Sequence, residues 1–85
     1  MTGPKRSNRA LARQVGATLE SLRHERRLRQ YMLADMAGIT KGMLSAYELG
    51  KQCPSVLSLG KILAALGISW QHFGRVLAET SEVLR

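Results

Sequence analysis

The stretch QYMLADMAGITKGMLSAYELG, residues 30–50, decides the fold of this 85-residue chain. Its apolar residues at 33, 34 and 37 share one face of a short helix, and Gly38 ends that helix because glycine tolerates the positive φ of a C-cap. Thr40 is a good N-cap residue for a second helix, running to Leu49, in which Leu44 and Tyr47 are three residues apart. The stretch therefore predicts two short helices joined by residues 38–40.

Two helices joined by a short turn that contains glycine form a helix-turn-helix unit. Ala34 is small where the two helices would cross, and Ile39 offers an apolar side chain for the underside of the turn. With Leu44 and Tyr47 facing inward, the residues that face outward on the second helix are Lys41, Gly42, Ser45 and Ala46. A short helix with small or polar outward residues fits the major groove of B-DNA.

The same criteria predict three more helices around this unit. Leu11, Val15, Leu19 and Leu22 lie on one face of a helix that runs to about Arg27. Pro54 and Ser55 open a helix that Gly67 closes, and Ser69 caps a last helix. Because no segment alternates apolar and polar residues as a strand does, the sequence predicts an all-α fold, a compact domain of five helices.

The positive charge is concentrated at one end of the chain. Thirteen Lys and Arg against six Asp and Glu give a net charge of +7, and residues 1–29, with eight basic and two acidic residues, carry +6 of it. Such a cluster suggests a polyanionic partner, either nucleic acid or an anionic membrane surface, with a solvated tail as the plain alternative. We expect a basic, flexible or partly helical arm (1–13), a domain (14–79) and a C-terminal helix extension (80–85).

Several classes of protein are disfavoured by what the chain lacks. Cys53 has no second cysteine to pair with, and His24 and His72 are too far apart in sequence to suggest a metal site. No paired carboxylates or activated nucleophile appear, so we expect neither an enzyme nor a cofactor. No apolar run is long enough to cross a bilayer, which argues against a membrane protein. The expected compartment is the reducing cytoplasm.

From Val15 to Phe73 the sequence resembles the helix-turn-helix domain of the Cro and lambda-repressor-like regulators, the XRE type. The matching residues occur in the order and at the spacing of that family. They are Leu22-Arg23, Leu28, Gln30, Leu33-Ala34, Gly38-Ile39-Thr40, Leu44, Tyr47-Glu48, Gly50-Lys51, Pro54-Ser55 and Leu66-Gly67-Ile68. The resemblance implies a lambda-repressor-like fold with the helix-turn-helix in helices 2 and 3, and double-stranded DNA as the partner.

The resemblance also implies roles for individual residues. Gln30 would bind a phosphate and steady the first residue of the recognition helix, while Thr40 would bind a phosphate or serve only as a cap. Met43 would contact bases or flank the core. The full set predicted to contact DNA is Gln30, Thr40, Lys41, Gly42, Met43, Ser45, Ala46, Lys51 and Gln52. The recognition helix is poor in strong base readers, so modest sequence specificity is expected.

Two further groups of residues are singled out. The basic residues of the arm, Lys5, Arg6, Arg9 and Arg13, are expected to contact phosphates along the backbone or in the minor groove. In the family an arginine of the first helix pairs with the glutamate that ends the recognition helix, which here implies a partly buried structural ion pair between Arg23 and Glu48.

The resulting hypothesis is a sequence-specific transcription regulator, a repressor or autoregulator, that binds a palindromic site as a homodimer. The expected location is the cytoplasm of a prokaryotic or phage-infected cell, and the protein would be on the nucleoid when it is bound to DNA. The apolar stripe of the last helix would supply the dimer surface. In that helix Phe73, Val76 and Leu77 are followed by Val83 and Leu84, which lie beyond the expected core. The alternative is an antitoxin or protein-interaction module that holds a protein partner through this helix and also binds its own operator.

Overall fold

The computed structural model describes the backbone of residues 4–80 and the side chains of residues 8–80, and it contains five helices and no strand within that range. In chain order the helices are α1 (Pro4–Glu25), α2 (Gln30–Ala37), α3 (Lys41–Glu48), α4 (Val56–Leu66) and α5 (Trp70–Thr80). The all-α prediction is confirmed, and α2 and α3 are the two short helices that the stretch 30–50 predicts.

Each of the first four helices ends in the same way. A residue one or two positions after each helix end has a positive φ, at Arg27 (58°), Gly38 (73°), Gly50 (76°) and Gly67 (71°). The N–H of the following residue then donates to a carbonyl five positions back, the hydrogen bond of the Schellman motif. These bonds join Leu28 N to Arg23 O (3.2 Å), Ile39 N to Ala34 O (3.0 Å), Lys51 N to Ala46 O (2.9 Å) and Ile68 N to Leu63 O (2.9 Å). The chain therefore turns sharply after every helix.

Hydroxyl side chains begin three of the helices. The Thr40 hydroxyl accepts a hydrogen bond from the Met43 N–H (3.0 Å), and Ser55 and Ser69 accept from the N–H groups of Ser58 (3.1 Å) and His72 (3.0 Å). Each bond satisfies one of the N–H groups that a helix N-terminus leaves without an intrahelical partner. The predicted caps at Thr40 and Ser69 are confirmed, and Ser55 caps α4, which begins one residue later.

The core lies where α1 and α2 pack against the later helices. α1 contacts α3 and α5, α2 contacts α3 and α4, and α4 also contacts α5. The buried apolar side chains are Val15, Leu19, Leu22, Leu33, Ala34, Ala37, Leu44, Tyr47, Ile62, Leu63, Leu66, Ile68, Phe73 and Leu77. Ile39 packs partly buried against this cluster, as its place in the turn predicts. α3 thus packs against both α1 and α2 through one shared core.

The start of α1 differs from the sequence prediction. Residues 4–13, expected as a flexible arm with partial helix as the alternative, continue without a break into the rest of α1. Proline is tolerated in the first helical turn, and neither glycine nor proline occurs again before Gly16, so nothing interrupts the helix. Residues 4–13 are therefore helical, as the partly helical alternative allowed, and the predicted boundary between residues 13 and 14 falls within a continuous helix. Residues 81–85 of the predicted C-terminal extension lie outside the described residues.

Candidate nucleic-acid interface

The N-terminal half of α3 presents the residues that the sequence placed outward. Lys41 and Gly42 are exposed, Met43 is 38% exposed, and Ser45 and Ala46 are half-buried. A Cβ built on Gly42 would have only the Thr40 hydroxyl oxygen near it, at 4.0 Å. The side chains of this surface therefore project little around Gly42, and the surface is accessible to another molecule.

Thr40 stands at the start of this surface and is exposed. Its hydroxyl oxygen accepts the hydrogen bond from Met43 that caps α3. A hydroxyl that accepts one bond still has its own proton to donate. The cap role is present in the structure, and the phosphate contact stays a prediction that is compatible with it.

The C-terminal end of α3 is buried and held by an ion pair. Arg23 Nε and Nη2 donate to the two carboxylate oxygens of Glu48, at 2.8 and 3.0 Å, and Arg23 Nη1 donates to the Leu28 carbonyl at 2.7 Å. The hydrogen bonds to Glu48 raise the pKa of the Arg23 guanidinium above its ordinary value, although burial acts in the opposite direction. The predicted Arg23–Glu48 pairing is therefore present, bidentate, between two buried residues.

Gln30 joins this ion pair from the start of α2. Its side-chain Nε2 donates to Glu48 Oε1 at 2.9 Å, so the Glu48 carboxylate receives hydrogen bonds from both α1 and α2. The sequence expected Gln30 to bind a phosphate and gave no sign of this contact with Glu48. The half-buried Gln30 thus ties the first helix of the motif to the last residue of the second, and its phosphate contact stays a prediction.

Gly16 allows α1 to lie directly against this end of α3. A Cβ built on Gly16 would lie 2.7 Å from the Glu48 backbone oxygen, and it would lie closer still to the Tyr47 backbone oxygen. By helix propensity alone, glycine in the middle of α1 would only weaken the helix. Its function is a close contact between α1 and the backbone at the end of α3.

Comparison with known proteins agrees with this geometry. A family profile described as "Helix-turn-helix" matches residues 19–73, which include all of α2, α3 and α4. The chain belongs to the XRE-type helix-turn-helix family. It is also 35% identical over 63 residues to the HTH-type transcriptional regulator SutR of Escherichia coli (strain K12), an alignment that covers 74% of this chain. The same alignment covers 35% of the relative, so the chain corresponds to about a third of that protein's length.

In this helix-turn-helix domain α3 is the recognition helix, and the loop that follows it carries further predicted contacts. Lys51 and Gln52 are both exposed. A Cβ built on Gly50, whose φ is +76°, would lie 2.8 Å from Arg13 Cγ and 2.9 Å from Arg13 Cα. The loop therefore packs closely against α1, and the structure brings Arg13 beside the residues that follow the recognition helix.

The predicted basic contacts of the first helix are only partly described. Arg9 and Arg13 are exposed on α1, whereas the side chains of Lys5 and Arg6 lie outside the described residues. Arg9 precedes Arg13 by one helical turn, so both are on the same side of α1. The helical backbone fixes the positions of these two residues relative to the domain, whereas a flexible arm would leave them variable.

Exposed apolar side chains lie at the start of α4 and of α5. Val56 and Leu57, in the first turn of α4, are 77% and 70% exposed, and Trp70, at the start of α5, is 50% exposed. A Cβ on Gly60, one turn after Val56, would lie 3.3 Å from the Trp70 ring, so the Trp70 ring packs against the first half of α4. The sequence did carry a signal, because Val56 and Leu57 fall outside the buried stripe of α4, which contains Leu59 and Ile62.

The apolar stripe of α5 is used mostly inside the domain. Phe73 and Leu77 are buried and Val76 is half-buried, so these side chains offer little surface to a second molecule. Val83 and Leu84, the remainder of the predicted dimer or partner surface, lie outside the described residues. The packing of α5 on α1 and α4 buries Phe73 and Leu77, so these two residues belong to the core, as expected of Phe73.

Among the residues that the structure describes, no group of three His, Cys, Asp or Glu side chains is placed to hold a metal ion. No helix within the described part of the chain is long and apolar enough to cross a membrane. Cys53 is an exposed free thiol in the loop before α4.

Proposed function

We propose that this chain is a sequence-specific transcription regulator that inserts α3 into the major groove of double-stranded DNA as a homodimer. The observation that carries the proposal is the exposed N-terminal half of α3 on a helix whose other end is locked by Arg23, Gln30 and Glu48. Reading bases requires a helix whose side chains hold fixed positions, and this arrangement supplies that rigidity.

The residues of the interface divide into base readers and phosphate binders. Lys41 would donate to guanine O6 or N7, and Ala46 and Met43 would touch thymine methyl groups. Thr40, Lys51 and Gln52 flank this surface at the two ends of α3, where they would meet the backbone of the DNA. Phosphate contacts fix the orientation of the protein and base contacts supply the discrimination.

The homodimer is proposed to form through Val56, Leu57 and Trp70. This surface is exposed, apolar and adjacent to the loop that carries Lys51 and Gln52, so a second copy seated on it would add a second recognition helix to the same assembly. A twofold-symmetric contact uses the same patch on both subunits. Recognition helices about 34–36 Å apart would then read successive major grooves of a palindromic site.

Sedimentation velocity tests the dimer surface directly. Leu57→Glu should shift the protein from dimer to monomer, because it places a charge in an apolar contact. Tyr31→Glu, which alters an equally large exposed side chain on α2 (56% exposed), is the matched control and should leave the dimer intact. A monomeric wild-type protein, or equal behaviour of the two variants, would exclude this surface.

Selection of binding sites from a random DNA pool tests the proposed function as a whole. The wild-type chain should enrich a palindrome, and Lys41→Ala should relax the preference at one base position per half-site, at a cost of about 1–3 kcal/mol. Failure to enrich any sequence would exclude specific binding. Equal weakening on all sequences would assign Lys41 to a phosphate instead.

Repression or autoregulation is the regulatory role proposed for this domain. A protein that occupies a site within a promoter lowers transcription by excluding other proteins from that DNA. A reporter gene under a promoter containing the selected palindrome should be less active in cells that produce the chain. Increased reporter activity would indicate activation instead.

A further inference from the structure

We propose that α1 carries a second DNA-binding element, a rigid basic ridge formed by Arg9 and Arg13 with Lys51 beside them. The ridge would bind phosphates that flank the groove entered by α3. This inference rests on the proposed function, and it differs from a flexible arm because the charges are held at fixed positions by a helix.

The position of the ridge follows from two close contacts of α1. Gly16 lies against the last residues of α3, and Arg13 lies against Gly50 in the loop that follows. On a helix with 3.6 residues per turn, positions 9, 13 and 16 lie within about 60° of one another around the axis. The side of α1 that carries Arg9 and Arg13 is thus the side that meets the end of α3.

The helix extends well past this contact. From Arg13 back to Pro4 it rises about 14 Å, at 1.5 Å per residue. Arg9 lies on this projecting part and is exposed, so its side chain can reach a phosphate beyond those available to Lys51. The ridge would widen the contact with DNA in the direction away from Gly42.

The local charge favours a polyanion along this line. Arg9, Arg13 and Lys51 are all exposed, and α1 has no acidic residue before Glu20. Glu48, the acidic residue at the end of α3, is buried and bonded to Arg23 and Gln30, so its charge is already compensated. Since α3 itself presents only one cation, Lys41, the ridge would contribute much of the sequence-independent attraction.

The dependence of DNA affinity on salt concentration measures this contribution. Each lost phosphate contact makes the slope of log K against log salt shallower by about 0.9. The experiment uses the full chain and a labelled random-sequence duplex, with fluorescence anisotropy recorded at several salt concentrations. Circular dichroism at 222 nm shows that each variant keeps its helices.

Three variants separate a helical ridge from a flexible arm. Arg9→Gln/Arg13→Gln should flatten the slope by about 1.8. The exchange Asn8→Arg/Arg9→Asn keeps the composition and moves one charge by about 100° around the helix, so it should flatten the slope by about 0.9. Arg75→Gln removes one exposed arginine of α5 and is the control, with no change expected.

The remaining outcomes overturn the proposal. An exchange variant that keeps the wild-type slope, while Arg9→Gln/Arg13→Gln loses it, would mean that the charges act as a flexible arm. An unchanged slope in both variants would mean that α1 makes no phosphate contact. If the wild-type chain itself does not bind DNA, the proposed function fails. If the wild-type chain binds DNA and both α1 variants keep its salt slope, only the ridge proposal fails.

Discussion

The two ends of the recognition helix are built in opposite ways. Its N-terminal end is exposed and is held by one hydrogen bond from the backbone to the Thr40 hydroxyl. Its C-terminal end is buried, with Glu48 receiving hydrogen bonds from Arg23 and Gln30 and with Gly16 of α1 packed against its backbone. The helix is therefore fixed at one end and offers its other end to a ligand.

This difference explains how eight residues can form a usable recognition helix. A helix this short is not stable by itself in water, so its position must come from tertiary contacts. If all those contacts were at the N-terminal end, they would cover the surface proposed to read DNA. Placing them at Glu48 leaves Lys41 and Gly42 free of packing constraints. The following predictions test this contrast, from the largest expected effect to the smallest.

Breaking the ion pair should have the largest effect. Arg23→Met leaves the Glu48 carboxylate buried without its main partner and removes the donor to the Leu28 carbonyl, so we expect a loss of about 3–5 kcal/mol in the free energy of unfolding. Urea denaturation followed by circular dichroism measures this loss.

A double variant then shows whether the loss in the free energy of unfolding comes from the Glu48 carboxylate that is left buried without a partner. Arg23→Met/Glu48→Leu removes both charges, and it should cost less than Arg23→Met alone. If the loss in Arg23→Met/Glu48→Leu equals the sum of the losses in Arg23→Met and Glu48→Leu, the two residues act independently, in contradiction to the bidentate contact.

Gly16→Ala should have the next largest effect, with a loss of about 2–3 kcal/mol. Alanine normally favours a helix over glycine by about 1 kcal/mol, but here the methyl group would meet the backbone oxygens of Tyr47 and Glu48. Thermal unfolding, compared with that of Gly74→Ala, measures the difference. A Cβ on Gly74 has no atom within 4 Å, so that control variant should be at least as stable as wild type.

At the exposed end of α3, Thr40→Ala should cost about 1 kcal/mol, because it removes the cap without disturbing the core. Thr40→Ser keeps the hydroxyl and should lose only a small part of this stability. The predicted phosphate contact of Thr40 is wrong if Thr40→Ala binds DNA as tightly as the wild-type chain does, while Thr40→Ser keeps the stability of the wild-type chain. Urea denaturation and anisotropy titrations on the same samples give both quantities.

Gly42→Ala should have the smallest effect and the opposite sign to Gly16→Ala. Its added methyl group would meet nothing closer than the Thr40 hydroxyl at 4.0 Å, so helix propensity should stabilise the protein by about 0.5–1 kcal/mol. A destabilised variant in urea denaturation would show that the N-terminal half of α3 is more constrained than its exposure indicates. The same variant should alter DNA affinity, since the methyl group projects from the proposed reading surface.

Much of the fold was predictable because its signals are local. Gly38, Thr40 and Ser69 each specify a helix end through their own φ angle or their own hydroxyl group. The core side chains Leu33, Leu44, Ile62 and Phe73 follow helical spacing, and all are buried as expected. The Arg23–Glu48 pair came from the family resemblance, since residues 25 positions apart give no local sign of their contact.

The remaining features were not predictable from local patterns. Gln30 was expected to face a phosphate, and only the packing of α2 beside α3 brings it to Glu48. The residues before Leu11 looked like an arm, because their weak apolar periodicity says nothing about a helix that extends beyond its core contacts. Val56 and Leu57 fall outside the buried stripe of α4, but only the packing of the helices shows that no other described element covers them.

By itself, then, the sequence determined the five helices of residues 4–80, most of their ends and the outward residues of the recognition helix, because capping and periodicity depend on neighbours within a few positions. Only the tertiary structure decided how α3 is anchored, which apolar side chains stay exposed, and that Arg13 meets the loop after the recognition helix. Those features depend on which surfaces meet when distant helices pack. The spacing of residues along the chain does not encode that.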